Sequence, residues 1–323
     1  MNKSIKLPSF LNVIGWYVKI LRPVNLVIIA ATAFLSWKAV IGGVLESYNM
    51  KLYMDSSMLW LLILSLVLIA AGGYVINDYF DVDMDKVNKP AKQIVGSKIA
   101  ARVAIVYYAL LTTAGVICAV IVAISIGNYQ VAMVHLIFAL GLWFYSEQLK
   151  YLKFWGNFFV SISTAFVVIV MWLYEFFAMV QQSEFLMPQQ SKFMNYIVLG
   201  YAGFAFLSTL AREMIKDRQD VKGDLQHGVR SLAVTMSDAG FKILIYGLLG
   251  LNLGFLIFAQ LFLYRIQLSL ISWYLLLPEF MVVYLMWVLS RARNEQDYGN
   301  MSLYAKAYIL AGVVSMQVFY ISW

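Results

Sequence analysis

Apolar residues run along this chain in long unbroken stretches, not in the alternating or one-faced patterns of a water-soluble domain. A membrane-crossing helix needs about 20 mostly apolar residues. Runs of that kind fall at 14–45, 58–76, 101–125, 129–147, 155–180, 194–213, 240–263, 269–290 and 302–322. The pattern predicts an all-α polytopic membrane protein with nine spans, forming a single domain over 1–323. The first run is long enough to tilt or to lie partly in the interface. Glu175, close to the end of the fifth run, is expected at the membrane interface.

Composition strengthens this reading. Hydrophobic residues make up 62% of the chain and charged residues 13%, against about 25% charged in a soluble domain. So apolar a surface could not be covered in water. The N-terminal segment is polar and basic, and the first apolar run lacks a small-residue cleavage site, so no cleaved leader is expected. Cys118, the one cysteine, cannot form an internal disulfide and reads as a small buried hydrophobe.

The net charge of +7 has a topological explanation, with no call for nucleic acid. With the N-terminus in the cytoplasm, twenty of the 24 lysines and arginines fall at cytoplasmic ends and loops. Only Lys38, Lys51, Lys192 and Arg265 fall opposite. This asymmetry supports both the span count and an integral protein of the cytoplasmic membrane.

Two polar stretches interrupt the apolar runs on that cytoplasmic side. NDYFDVDMD (77–85) follows the second run and KDRQDVKGD (216–224) the sixth, at equivalent points four spans apart, which suggests a pseudo-repeat. Asp78, Asp81 and Asp85 are spaced three and then four apart, and so are Asp217, Asp220 and Asp224. On a helix each set forms one carboxylate stripe. Like charges on one face repel, and folding does not require them. Solvated juxtamembrane acid is the plainer explanation, but seven of the seventeen acids sit in these two stretches with identical spacing. Mg²⁺ takes oxygen ligands and is commonly held by carboxylates together with substrate phosphates. Two facing stripes, with the amide oxygen of Asn77 as a further ligand, suit a Mg²⁺-bound diphosphate.

Basic residues surround the stripes. Arg22 and Asn25 begin the first span, Lys89 and Lys92 follow the first stretch, Lys150 and Lys153 join spans four and five, and Arg212 and Lys216 lead into the second stretch. Singly, each is an ordinary membrane anchor; together they suit stabilisation of a departing diphosphate. The chain also carries 21 Phe, 21 Tyr and 9 Trp. Some of these could line an apolar cavity and stabilise a carbocation through their π faces. Of the two histidines, His135 lies in an apolar run and reads as packed, while His227, just past the second stretch, could touch substrate.

These residues resemble the UbiA superfamily of intramembrane prenyltransferases. NDYFDVDMD matches that family's N-D-x-x-D-x-x-x-D signature, and KDRQDVKGD its second aspartate signature, within a resemblance running from about residue 20 to 320. The resemblance implies a helical bundle around a central cavity open to lipid. It also implies Mg²⁺ bridging the motifs through Asn77, Asp78, Asp81, Asp85, Asp217, Asp220 and Asp224, with Arg22, Asn25, Lys150 and Lys216 as diphosphate contacts. Ionisation would give an allylic cation, captured by a lipid-like acceptor. REMIKDRQDVKGD is most similar to the branch that makes archaeal-type ether lipids by transferring geranylgeranyl to geranylgeranylglyceryl phosphate. The segment Lys92-Gln93-Ile94-Val95-Gly96-Ser97 departs from the R-P-L-P-S-G of many members. This leaves prenylation of a quinone-precursor ring or of haem as an alternative. A cation-coupled transporter would more often hold its acids near the midplane. An intramembrane aspartyl protease would need two aspartates deep in the spans, and none lies there.

Overall fold

Pro23 decides where the first span begins. The apolar run over 14–45 is not one helix in the computed structural model, which describes residues 10–88, 93–226 and 230–323. Helix α1 (Phe10–Ile20) stops short, and Arg22 adopts the left-handed conformation with φ 54° before α2 (Pro23–Leu35) starts. Proline cannot donate the backbone bond that would continue α1, and it disfavours helical geometry in the residue before it. Arg22 is thereby fixed at the head of α2. Helix α1 packs Trp16, Tyr17 and Ile20 against the ends of the next two spans, around Val75 and Ala104.

The first span continues through a π-helical stretch, Ser36–Ile41, into α3 (Gly42–Ser47). Next come α4 (Ser56–Phe80), the short α5 (Val82–Asn88) and α6 (Ala101–Ser125). They are followed by α7 (Ala132–Glu147), α8 (Trp155–Gln181) and α9 (Pro188–Gln226). The chain ends with α10 (Leu232–Thr235), α11 (Asp238–Arg265), α12 (Ser269–Tyr274), α13 (Leu276–Arg291) and α14 (Glu295–Ile321). Among the described residues nine segments are long and apolar enough to cross a membrane. The protein is an all-helical integral membrane protein. The only paired strands among the described residues are β1 (Leu152–Lys153) and β2 (Arg230–Ser231), two residues each and parallel.

Small residues let the spans approach closely, as helix packing in lipid requires. A methyl group on Gly115 of α6 would meet the Ser65 carbonyl of α4 at 3.0 Å. Helix ends are capped from the sequence: Asp55 accepts from the Met58 N–H at 2.8 Å, and Asn294 and Asp297 form a reciprocal capping box.

Glu175 lies near the end of α8 but is shielded from water. It is fully buried, and its carboxylate accepts from Trp37 Nε1 at 2.6 Å and from the Tyr53 and Met54 backbone N–H groups at 2.5 and 3.3 Å. The π-helical stretch carries Trp37 to it, and the chain before α4 folds over it, so three donors replace its water.

Candidate functional site

The alternation of the spans gathers the polar chemistry at one end of the bundle. Helices α4, α7 and α9 end there, while α2, α8 and α14 begin there. Between them lies a cavity of about 350 Å³, lined at its mouth by Arg22, Asn25, Asn77, Arg212, Glu213 and Lys216. Deeper, the lining turns to Leu66, Ile69, Phe138, Phe166 and Val167, and it reaches His135. Tyr145 and His135 lie ten residues apart on α7, which at 1.5 Å per residue makes the pocket about 15 Å deep. A separate recess of about 380 Å³ between α9, α11, α12 and α14 is lined without a charged side chain.

The first acidic stretch is not a single helical stripe. Helix α4 ends at Phe80; Asp81 is its cap, with φ −88° and ψ 5°, and Asp85 lies on α5. The break is slight, since Asp81 N–H still donates to the Asn77 carbonyl and Asp85 N–H to that of Asp81, at 2.9 and 2.8 Å. The second stretch stays on α9, which runs on to Gln226. Helices α5 and α9 touch, so the two stretches are neighbours.

Basic partners, and not isolation, hold the carboxylates of the first stretch. Arg22 Nη2 donates to Asp78 at 2.6 Å, and Lys150 Nζ to Asp81 at 2.6 Å. Asp78 and Asp81 are each 16% exposed, and Lys150 10%. Burial works against the Arg22 charge, but Asp78, aided by Tyr74 and Tyr145, outweighs it and holds the guanidinium above its ordinary value. Arg22 also stacks over the Tyr74 ring, 4.9 Å from its centre. Asn77 donates its amide to Asp81 at 2.7 Å. Beside them, burial and Asp81 push the Tyr151 phenol up.

In the second stretch Asp217 accepts from the Asn157 amide at 2.8 Å. Glu213, one turn earlier, pairs with Arg212 and lies 3.7 Å from Lys216. Tyr145, on the cavity wall, stands within electrostatic reach of Asp81 in the first stretch and Asp217 in the second, as well as of Glu213 and Arg22. Asp224 is buried and Asp220 half-buried, and both have interactions of their own.

Among the described residues no three His, Cys, Asp or Glu side chains stand together as a metal cluster. The donor set is nevertheless the right kind for Mg²⁺: carboxylates and an amide oxygen, on two adjoining elements, with cations that a diphosphate could draw away.

Of the expected contacts, Arg22, Asn25, Asn77, Arg212 and Lys216 line the cavity; Lys150, bonded to Asp81, is not among the lining residues, and neither are Asp78, Asp81, Asp85, Asp217, Asp220 and Asp224. Lys153 lies exposed on β1. Lys89, Lys92 and His227 fall outside the described residues. Sequence reasoning missed Glu213, Tyr145, Asn157 and Lys306. Glu213 and Lys306 did carry a signal, since each is a charge within an apolar run. Asn157 and Tyr145 had none.

The UbiA prenyltransferase family model matches residues 27–306. Over 217 residues the chain is 31% identical to a digeranylgeranylglyceryl phosphate synthase of Hyperthermus butylicus, covering 67% of this chain and 66% of that protein. A synthase of the same name from Saccharolobus solfataricus is 33% identical over 52% of this chain and 53% of its own length. One from Methanosphaera stadtmanae is 26% identical over 93% and 97%. The fold is shared with a solved structure of digeranylgeranylglyceryl phosphate synthase, at TM-score 0.68 and 21% identity, covering 97% of this chain and all of that one. It is also shared with a UbiA homologue of Archaeoglobus fulgidus bound to GPP and Mg²⁺, at TM-score 0.58 and 14% identity, covering 93% and 99%.

Proposed function

The chain belongs to the UbiA prenyltransferase family, and on that premise we propose that it transfers geranylgeranyl from its diphosphate to the free hydroxyl of geranylgeranylglyceryl phosphate, with Mg²⁺, on the cytoplasmic side of the cell membrane. The convergence of two acidic stretches at the charged mouth of an apolar cavity carries this reading. The acceptor is inferred from REMIKDRQDVKGD and from the relatives' names. The substrate chain would lie along Leu66, Ile69, Phe138 and Phe166, its diphosphate at the mouth.

Asp78, Asp81, Asp217 and Asp220 are the primary Mg²⁺ ligands in this reading, with Asn77, Asp85 and Asp224 completing the set. Bound Mg²⁺ would neutralise the diphosphate and favour its departure. The basic residues act by exchange. Arg22 and Lys150 would pass from Asp78 and Asp81 to diphosphate oxygens, which frees both carboxylates for metal. Lys216 and Arg212 approach from α9. The C–O bond of the donor then breaks with its electrons leaving on diphosphate, and the acceptor oxygen bonds to the allylic carbon as its proton passes to the released diphosphate. Tyr74, Phe138 and Phe166 offer π faces to the cationic carbon chain, and the dry walls keep competing water away.

The test is a panel of acceptors. Purified protein is incubated with labelled geranylgeranyl diphosphate, Mg²⁺ and geranylgeranylglyceryl phosphate, a quinone-precursor acid or haem, and products are identified by mass. A digeranylgeranylglyceryl phosphate product is expected. Turnover of an aromatic acceptor alone would overturn the acceptor assignment, and no turnover of any acceptor would overturn the reading as a whole.

A further inference from the structure

Four cations line the cavity: Arg22, Arg212, Lys216 and Lys306. Three have a carboxylate partner, Asp78 for the first and Glu213 for the next two. Lys306 has none among the described residues. Its ammonium donates to the neutral amide oxygen of Asn25 at 2.9 Å. Its charged neighbour is another cation, Arg212, which also leaves a buried Nε–H without an acceptor. A cation placed against a second cation at the edge of a membrane cavity is costly without a counter-charge. Lys306 sits more than two turns into α14 and is half-buried on the cavity wall.

The placement of this pair differs from that of the acidic stretches. Asn25, Lys306 and Arg212 belong to the wall made by α2, α14 and α9. Asp78, Asp81, Lys150, Asn157 and Asp217 belong to the side made by α4, α8 and the far end of α9 with the turn before α8. Of the cavity's cations, Arg212 and Lys216 share Glu213 and Arg22 holds Asp78, so Lys306 alone lacks a carboxylate among the described residues. A diphosphate bound through metal beside the aspartates would leave that charge unmatched.

We propose that Lys306, oriented by Asn25 and backed by Arg212, binds the phosphate of the acceptor lipid and so selects a phosphorylated acceptor over its dephosphorylated alcohol. This rests on the acceptor reading above and assigns that reading a residue. Lysine is suited to the role as a point charge with three donors, free to follow a mobile headgroup. Asn25 holds the ammonium without neutralising it, so the charge stays available.

Binding separates this inference from the reading it rests on. Affinities for geranylgeranylglyceryl phosphate and for its phosphate-free alcohol are measured on the full-length protein in nanodiscs, by quenching of intrinsic tryptophan fluorescence, for wild type, Lys306→Met and Lys306→Arg. The wild type should prefer the phosphorylated lipid. Lys306→Met should weaken its binding roughly tenfold or more, the range of one charge-assisted contact, while affinity for the alcohol and for geranylgeranyl diphosphate changes little. Lys306→Arg should retain most of the preference. An undiminished preference in Lys306→Met overturns the proposal. So does an equal loss for geranylgeranyl diphosphate, which would place Lys306 on the donor, and so does failure of both lipids to bind. Preferential binding without any turnover would overturn the acceptor reading and leave the anion site standing.

Discussion

Asp78 and Asp217 face similar chemistry but lean on different neighbours, a guanidinium in one case and a neutral amide in the other. Replacing either by Ala should lower transfer by about 10²-fold or more if they hold Mg²⁺ and the diphosphate. Thermal midpoints should move by only a few degrees, since both groups stand at the end of the bundle. Near-normal turnover in either variant would strike that residue from the site. In the proposed site Asn157 would act through Asp217, to which its amide donates, and so be a positioning residue. Its replacement by Ala should raise the Mg²⁺ concentration needed for half-maximal activity several-fold more than it raises KM for the prenyl diphosphate. A purely structural role would move thermal stability and leave the Mg²⁺ requirement alone. At this scale the aspartates were legible, because they are charges in repeated register against an apolar background. Their partners were not. Nothing in the local sequence says that the Asn157 amide will meet Asp217 sixty residues on.

At the scale of elements, close backbone contacts aim the side chains. Lys150 follows α7 in a tight turn against the start of α8, and a methyl group on Gly156 would meet the Lys150 Cα at 2.9 Å and the Leu149 carbonyl at 3.2 Å. These are backbone atoms, so the turn must move. Gly156→Ala should therefore cut activity about tenfold or more by displacing Lys150 from Asp81. Gly200→Ala, with nothing within 4 Å, should leave activity unchanged and raise stability slightly, as alanine favours helix by about 0.5–1 kcal/mol. Equal effects of the two changes would defeat the argument. Element boundaries show where apolar pattern stops being informative. It ran straight across Pro23, because lipid and the packed interior both take apolar residues on either side of the corner. The proline itself was the better signal. The π-helical stretch at Ser36–Ile41 has no such mark, and it is what brings Trp37 to Glu175.

For the whole molecule, the nine spans found among the described residues, the helical fold and family membership were readable from run lengths and two motifs, because crossing a bilayer leaves a chain little freedom. Cavity depth and the wall on which each cation stands come from packing between distant spans, and no local pattern encodes them. Metal dependence belongs at this scale, since the donors proposed for it come from two stretches. Activity should vanish in excess EDTA and return with added Mg²⁺; full turnover in EDTA would refute the shared metal site. The β1–β2 ladder adds a mechanical constraint. Leu152 and Lys153, just beyond Lys150, pair with Arg230 and Ser231, just beyond α9. The turn that presents Lys150 is thus bolted to the segment that follows the second acidic stretch, and Arg218 ties that segment back to α9 through the Ala233 carbonyl. The two lips of the cavity mouth are coupled as one plate. Any displacement of the Lys150 turn is therefore carried to the segment after α9, and a change in one is felt by the other.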